Sequence, residues 1–503
     1  VEEWEPRFTY HGFRYVQVEY ESAPEELSLV GRVVRSSVAK IGSFWCADEL
    51  ANRIRAACEW TEADNLHSLP TDCPQREERM GWLNDMTVRA EPAMYAFDLN
   101  LLYAKWAEDI SQAQGLEAGA VTDVAPFDSY HTPAFGNRPA DPVSSSYLLI
   151  GWLSYLHYGD VRILEGRYEG FVDWYRYLRE QAQDGILSYS YWGDWASPAG
   201  FSVEGSAGAG AVSAVTPGAL VSTCYLFYDA LLLSRIAGVL GRTEEAERFS
   251  REAAETARAF NRRFFDEQAR CYGTGSQACQ AIPLALGLVP NERIDAAVSR
   301  LVRDIRENDV HLSTGNLATR YVPEVLADHG HVDLAWALAV QRTYPSWGYM
   351  IDHGATTIWE RWEYIRGGGM SSHNHPMYAT ISGWFSKYIA GIRSSEEGPG
   401  FEKVVLRPHI PDRLDWAEAA LDTVRGRVRS AWRKLAGGSV EFEFEVPPSS
   451  TAALELPSPG EEPEGAEGFQ RQRQPWGGRL HREVRGGEHR FVLEAGGEQR
   501  SQE

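Results

Sequence analysis

Four short segments gather the side chains able to do chemistry. The densest runs Thr71-Asp72-Cys73-Pro74-Gln75-Arg76-Glu77-Glu78-Arg79-Met80-Gly81-Trp82-Leu83-Asn84-Asp85. Carboxylates, guanidinium groups and an indole are crowded beside Pro74 and Gly81, which predict a shaped loop opening into a helix. A solvated charged turn is the plainer alternative, and Trp82 and Gly81 fit it poorly. In the second segment, Gly354-Ala355-Thr356-Thr357-Ile358-Trp359-Glu360-Arg361-Trp362, a carboxylate lies between two indoles. Such surroundings disfavour ionisation and can tune a proton-transfer group, although a buried Glu360 paired with Arg361 accounts for the pattern equally well. The third is Ser371-Ser372-His373-Asn374-His375-Pro376, after three glycines, and the fourth is Tyr191-Trp192-Gly193-Asp194-Trp195.

Two carboxylates from distant loops beside tryptophan platforms are the equipment of a glycosidase, where one protonates the leaving oxygen and the other activates water or attacks carbon. Other chemistries fare worse. No GxSxG elbow, GxxxxGK[ST] phosphate loop or HExxH pair occurs. His373 and His375 stand two residues apart with no CxxC or third histidine nearby, so no metal and no cofactor is expected.

The 503 residues carry 49 Lys+Arg against 71 Asp+Glu, a net charge of −22. A nucleic-acid partner is therefore not expected, because phosphate binding needs cations to displace counterions. An apolar share of 43% with 24% charged residues is ordinary for a folded chain. The 17 Trp and 23 Tyr fit sugar platforms, but weigh more toward extra core aromatics. Cysteines 46, 58, 73, 224, 271 and 279 form no ligand-type pair and read as buried free thiols in a reducing compartment. No run of 18 or more apolar residues occurs, so no membrane partner is expected. Residues 1 to 15 lack the basic start and apolar run of a signal peptide, so the reading is cytoplasmic. An opening in mid-pattern at FTYHGFRYVQVEY is also what an N-terminally incomplete chain would show.

The elements that must position these segments follow from periodicity. Alternation over residues 8 to 20 predicts strands, the tail of a preceding β-sandwich domain over 1–30. Residues 31–395 are dominated by helical spacing, as in Ile294, Ala297, Val298, Leu301, Val302 and Ile305, or Phe249, Ala253, Ala257, Phe260 and Phe264. The latter helix is expected to be capped by Thr243 and to end at Arg262 and Arg263. Paired helices repeating about six times predict a mainly α fold, a double-layered α/α barrel, although an α-solenoid would share the period. Residues 396–503 break into short strand-like runs and predict a C-terminal β-sandwich, with a mobile segment over 456–489.

The strings PTDCPQREERMGW and GATTIWERW, followed by the Ser/Asn/His/Pro segment and an aromatic helix ending AGIR, resemble the bacterial α-L-rhamnosidases of glycoside hydrolase family 78 over about residues 8 to 450. The resemblance implies an (α/α)6 barrel flanked by β-sandwich elements. It also implies inverting hydrolysis of terminal α-L-rhamnose from a glycoside or oligosaccharide. Position by position, it makes Glu78 the general acid and Glu360 the general base. Asp72 and Asp85 would hold sugar hydroxyls, Trp82 would pack on the sugar, and Trp195 and His375 would complete the binding set. Departures are Glu77 where the family has Asp, Asn84 where it has Gly, and Pro139-Ala140-Asp141 where it has Trp-Gly-Asp. Catalysis is expected to be retained with a relaxed sugar preference. The rivals are an (α/α)6 exo-hydrolase of another deoxy or uronic sugar and a non-catalytic sugar-binding relative; aglycone, linkage and oligomeric state are not encoded in these motifs.

Overall fold

The helix-period segments become two kinds of helix, those with one apolar stripe and those that are apolar nearly all round. In the computed structural model, residues 3–114, 119–127, 139–203, 212–366, 372–457, 466–472 and 478–494 are described. After strand β1 (Gly42–Cys46) come α1 (Glu49–Asp64), α2 (Leu83–Met94), α3 (Asn100–Ala113), α4 (Ser146–Tyr158), α5 (Arg162–Gln181), α6 (Gly218–Val239) and α7 (Thr243–Phe264). A short hairpin, β2 (Phe265–Asp266) and β3 (Cys271–Tyr272), leads to α8 (Gln277–Leu286) and α9 (Asn291–Glu307). The split helix α10 (Asn316–Thr319) and α11 (Tyr321–Asp328) is followed by α12 (Val332–Ala339) and α13 (Trp347–Asp352). Last comes a continuous helical segment, a 3-10 turn at Met377–Thr380, α14 (Ile381–Trp384) and a π turn at Phe385–Ile389.

Burial sorts these into two rings. Every residue of α2, α10 and α14 is buried, and α4, α6, α8 and α11 are nearly so. By contrast, α7 buries Phe249, Ala253, Thr256, Ala259 and Phe260, and α9 buries Ala297, Val298, Leu301, Val302 and Ile305. A helix with one apolar stripe packs outside, and one apolar all round packs inside. The inner ring runs α2, α4, α6, α8, α10–α11 and the Met377–Ile389 segment, each packed on the next, and that last segment returns to α2. Closure decides for a barrel over a solenoid, with α1, α3, α5, α7, α9 and α12 as the outer layer. By length and composition α6 could cross a bilayer, but 72% of its apolar window is buried inside the barrel. All six cysteines are buried and free. Much of the aromatic excess is core, with Trp106, Trp174, Trp347, Trp362 and Trp384 fully buried.

The C-terminal region is a sheet of β4 (Ile392–Ser394), β5 (Lys403–Leu406), β6 (Trp416–Thr423), β7 (Gly426–Lys434), β8 (Val440–Pro457), β9 (Gln470–Gln472) and β10 (Arg479–Leu493), in the order β1-β6-β7-β8-β10-β9 with β5 parallel to β8. Its edge strand β1 comes from the front of the helical region, pairing antiparallel with β6 from Gly42↔Leu421 to Cys46↔Ala417. Gly42 is required there: a Cβ would stand 1.8 Å from the carbonyl oxygen of Tyr95.

Three expectations need correction. Residues 8 to 20 form no strand, because alternation alone does not make one without a partner to take its hydrogen bonds, and they pair with no other described segment. Thr243 is the first helical residue of α7, with Arg242 at the cap and no side-chain cap bond. Regular structure also enters 456–489, where β8, β9 and β10 pair; 458–465 and 473–477 lie outside the described residues.

Candidate active site

The acid-rich segment folds as the loop between α1 and α2, and its two ends are fixed by buried contacts. At the start, Arg89 of α2 reaches Glu62 of α1 (Nη2 to Oε1 2.8 Å) and donates to the carbonyls of Thr71 at 2.5 Å and Asn65 at 3.3 Å. At the end, Gly81 is squeezed against Ala125, whose carbonyl oxygen would lie 2.2 Å from a Cβ, while Trp106 Nε1 donates to that same oxygen at 2.8 Å. A glycine at this point lets the chain turn into α2 with Trp82 at its N-cap and Asp85 in its first turn.

Between those ends the loop closes on itself. Asp72 Oδ1 accepts the Met80 N–H at 2.8 Å, and the Cys73 thiol donates to Asp72 Oδ2 at 2.8 Å. Arg76 Nε donates to Cys73 Sγ at 3.2 Å, which points the guanidinium inward. Its Nη2 then pairs with Glu78 Oε2 and lies 3.5 Å from Glu360 Oε2 and 3.9 Å from Asp72 Oδ2. Glu78 also accepts from Trp82 Nε1 at 3.0 Å. The side chain of Glu78 is 24% exposed and that of Glu360 only 2%, so one carboxyl faces the opening and the other the floor.

Glu360 is held by a backbone pair: its N–H donates to Ser372 O at 2.8 Å, and the Ser372 N–H donates to Glu360 Oε2 at 2.9 Å. Burial raises its pKa above the ordinary carboxylate range, while Arg76 and the Ser372 N–H pull it back. Arg361, the alternative partner, pairs with Glu363 instead at 3.2 Å. Asp72 is pushed up to about 8, first by burial and then by Glu78, against the Cys73, Met80 and Arg76 contacts. Asp85 is also raised well above the ordinary carboxylate range, by burial and by Asp72. Both shifts favour the protonated form, in which a carboxyl can donate to as well as accept from a hydroxyl. His375 is buried, and burial with Arg76 and Arg89 nearby keeps the imidazole neutral. Its Nδ1 takes the Met377 N–H at 3.5 Å, which assigns the ring proton to Nε2, 3.3 Å from Asp85 Oδ1.

The aromatic wall is a chain of three indoles. Half-buried Trp82 meets Trp192 edge-on at 5.7 Å, and Trp192 meets Trp195 edge-on at 5.2 Å. Asp141 fixes the Trp192 loop, accepting the Trp192 N–H at 2.8 Å and the Tyr191 N–H, with Ser190 Oγ at 3.3 Å. Asp194 faces away and caps α10, taking the Gly315 and Ala318 N–H groups at 2.8 and 2.9 Å.

The predicted residues Glu78, Glu360, Asp72, Trp82, Asp85 and His375 therefore assemble in one cluster, linked through Arg76, the Trp82–Glu78 bond and the approach of His375 to Asp85. Trp195 departs from expectation: it is 7% exposed, packed with Ala196, Trp192 and Val212, so the partly exposed ring belongs to Trp192. Asn84 is buried with its Oδ1 unpartnered, an acceptor at the start of α2. Pro139 is half-buried and carries no ring for the wall, and the adjoining residues 128–138 lie outside the described residues.

Most of the chain matches known proteins in sequence and in fold. Residues 39–389 match the family described as the bacterial alpha-L-rhamnosidase 6 hairpin glycosidase domain. The chain belongs to this family. Residues 391–469 match the C-terminal domain of bacterial alpha-L-rhamnosidases, and residues 1–35 their concanavalin-like domain. An alpha-L-rhamnosidase of Streptomyces avermitilis is 34% identical over 467 residues, 91% of this chain and 42% of the relative. One from Alteromonas sp. is 31% identical, over 92% of this chain and 51% of the relative. The solved alpha-L-rhamnosidase from Dictyoglumus thermophilum superimposes with a TM-score of 0.88 at 36% identity, covering 98% of this chain and 55% of that one. The Streptomyces avermitilis enzyme complexed with L-rhamnose gives 0.80 at 31%, covering 92% and 43%. The chain thus spans about half the length of the relatives it matches.

Within this rhamnosidase-family pocket, motif reading missed Arg76, Cys73, Ser372, Asp141 and Trp192. Each stood in or beside a flagged segment, but its type alone read as solvated charge, buried thiol or loop. Arg76→Gln removes a cation that keeps Glu360 ionised, so the acid limb of kcat/KM is expected to move to higher pH. A limb that stays in place would separate Arg76 from Glu360. Trp192→Ala is expected to raise KM about fivefold, the loss of about 1 kcal/mol of ring contact, with Tm little changed. Trp195→Ala should instead lower stability by about 3–5 kcal/mol, as for other buried indoles; thermal melts beside KM measurements distinguish the two.

Proposed function

We propose that the protein is an inverting exo-glycoside hydrolase that releases terminal α-L-rhamnose from a glycoside or oligosaccharide. The observation that supports a glycosidase most is the convergence of Glu78 and Glu360, from loops far apart in the chain, on the single nitrogen Arg76 Nη2 beside a half-buried indole. Those two contacts hold the nearest carboxylate oxygens closer than the roughly 6.5–9.5 Å of an inverting pair, so inversion is supported by the family and not by this spacing. In this reading Glu78, the more exposed carboxyl, gives its proton to the leaving oxygen. Glu360, on the floor and beside Arg76, draws a proton from water attacking the opposite face of the sugar. Asp72, Asp85 and His375 bind ring hydroxyls, and Trp82 with Trp192 packs on the apolar face. The L-rhamnose complex of the Streptomyces avermitilis relative supports the choice of sugar.

Pro139 leaves one wall without an indole, and a methyl group contributes only about 1–3 kcal/mol of discrimination, so α-L-mannoside and α-L-lyxoside should also be cleaved to a measurable extent. The test is a panel of aryl glycosides, including these three and a uronide, with released phenol as the readout. Proton NMR of the first-formed sugar accompanies it. Release from the α-L-rhamnoside with an inverted initial anomer is expected. No turnover on that substrate, or an initially retained anomer, overturns the proposal.

A further inference from the structure

Among the described residues from 3 to 34, all but one are exposed; the exception is Tyr10. Its ring is stacked on His67, 4.2 Å between centroids and 12° from parallel, and the Arg79 guanidinium lies 4.5 Å from its centroid on the acid-bearing loop. Arg79 follows Glu78 directly and is held at φ +51°, a left-handed conformation that a long side chain adopts only when its surroundings fix it. Two contacts do so, the Tyr10 ring and the bond from Arg79 Nε to Pro74 O at 3.1 Å.

Two residues further on, the backbone of Gly12 lies directly on Gln75. A Cβ at residue 12 would fall 2.5 Å from Gln75 Cβ. Gln75 Nε2 donates to Ser372 Oγ at 2.7 Å, and Ser372 is the residue whose N–H holds Glu360 Oε2. Arg14 then reaches the other loop, Nη2 to Gly354 O at 3.2 Å. This stretch contributes almost nothing to the core, yet it touches the loop of Glu78 at two points and the segment of Glu360 at a third.

We propose that residues 10–14 are a positioning strap that braces both glutamate-bearing loops, with Tyr10 as its anchor through His67 and Arg79. The proposal rests on the catalytic roles given above to Glu78 and Glu360. Its physical content is rigidity. Without the ring, Arg79 loses one of the two contacts holding its strained backbone, and Glu78 beside it loses its aim at the leaving oxygen; a misplacement of about 1 Å costs on the order of a hundredfold in rate.

Tyr10→Ala and Tyr10→Phe, in the full chain, test it. Tyr10→Ala is expected to lower kcat on an unactivated aryl α-L-rhamnoside by about ten- to a hundredfold without lowering Tm, and by much less on a substrate whose leaving group needs no proton. Tyr10→Phe keeps the ring and should restore kcat. Gly12→Val, which drives a side chain into Gln75, should reproduce the defect through the base side and act equally on both substrates. Amide exchange in the unliganded protein reads the strap without any substrate: the Met80 and Ser372 N–H groups should exchange faster in Tyr10→Ala. If wild type cleaves no rhamnoside but exchange accelerates, the sugar assignment fails and the strap stands. Unchanged exchange with unchanged kcat in Tyr10→Ala, or a defect equally large in Tyr10→Phe, overturns the strap.

Discussion

Glu78→Gln should lower kcat on an aryl α-L-rhamnoside with a poor leaving group by about 10²–10⁴-fold, while sparing most of the activity on a substrate whose phenolate departs unaided. Glutamine fills the same space and can still accept the 3.0 Å bond from Trp82 Nε1, so the wall is preserved, while the transferable proton and the charge paired with Arg76 are lost. Glu360→Gln should lower both activities alike, since water must be deprotonated whatever leaves. The wild-type pH profile carries the same asymmetry. Burial raises the Glu360 pKa, so activity is present above that pKa and lost as pH falls through it. Parallel kcat measurements on the two substrates decide the roles, and equal losses on both in Glu78→Gln would remove Glu78 as the proton donor.

Asp229→Asn is expected to stabilise the protein, and the gain should grow with pH. Asp229 lies on the inner helix α6, fully buried, with neither carboxyl oxygen hydrogen-bonded and only the Ser145 hydroxyl near enough to favour ionisation. Burial pushes its pKa up to about 8 from 3.8. Between these values the folded protein keeps the proton while the unfolded chain releases it, so the unfolded state binds fewer protons and stability falls as pH rises. Below the unfolded value its titration costs nothing. Across the window the cost accumulates at up to about 1.4 kcal/mol per pH unit and levels off above the folded pKa. Asparagine does not titrate, so at pH 7 it should gain on the order of 2–4 kcal/mol. Urea midpoints for both proteins at pH 5 and pH 8 check this; a difference that stays constant with pH would mean that Asp229 does not titrate as a buried acid.

The parts of the molecule legible in sequence are those where residue type and position determine each other. The stripes of α7 and α9 were readable because an outer helix must alternate faces, and Glu78 and Glu360 because they sit in long motifs of unusual composition. Arg76 shares the first motif, yet its part depends on Cys73 turning the guanidinium inward, a contact that charge patterning does not express. Trp192 and Trp195 lie three residues apart, and the choice of exposed ring is made by Asp141 gripping the loop from another segment. Strand β1 is five residues long and surrounded by helix-forming sequence, so its membership in the sheet depends on β6 far downstream. The alternation over residues 8 to 20 failed for the converse reason, with a strand-like pattern and no pairing neighbour among the described residues.

That pairing of β1 with β6 sets a timetable for synthesis. The ribosome releases Gly42–Cys46 long before Trp416–Thr423, and at about 5–20 residues per second the wait is on the order of tens of seconds. Through that interval the early strand has an unsatisfied edge, with Phe44 and Cys46 ready to be buried and no sheet to receive them. The first and last inner helical segments also cannot meet until the Met377–Ile389 segment has emerged. Closure of the barrel and pairing of β1 therefore wait on late-made sequence, and a nascent chain stalled before residue 416 should engage holding chaperones rather than accumulate as a stable barrel.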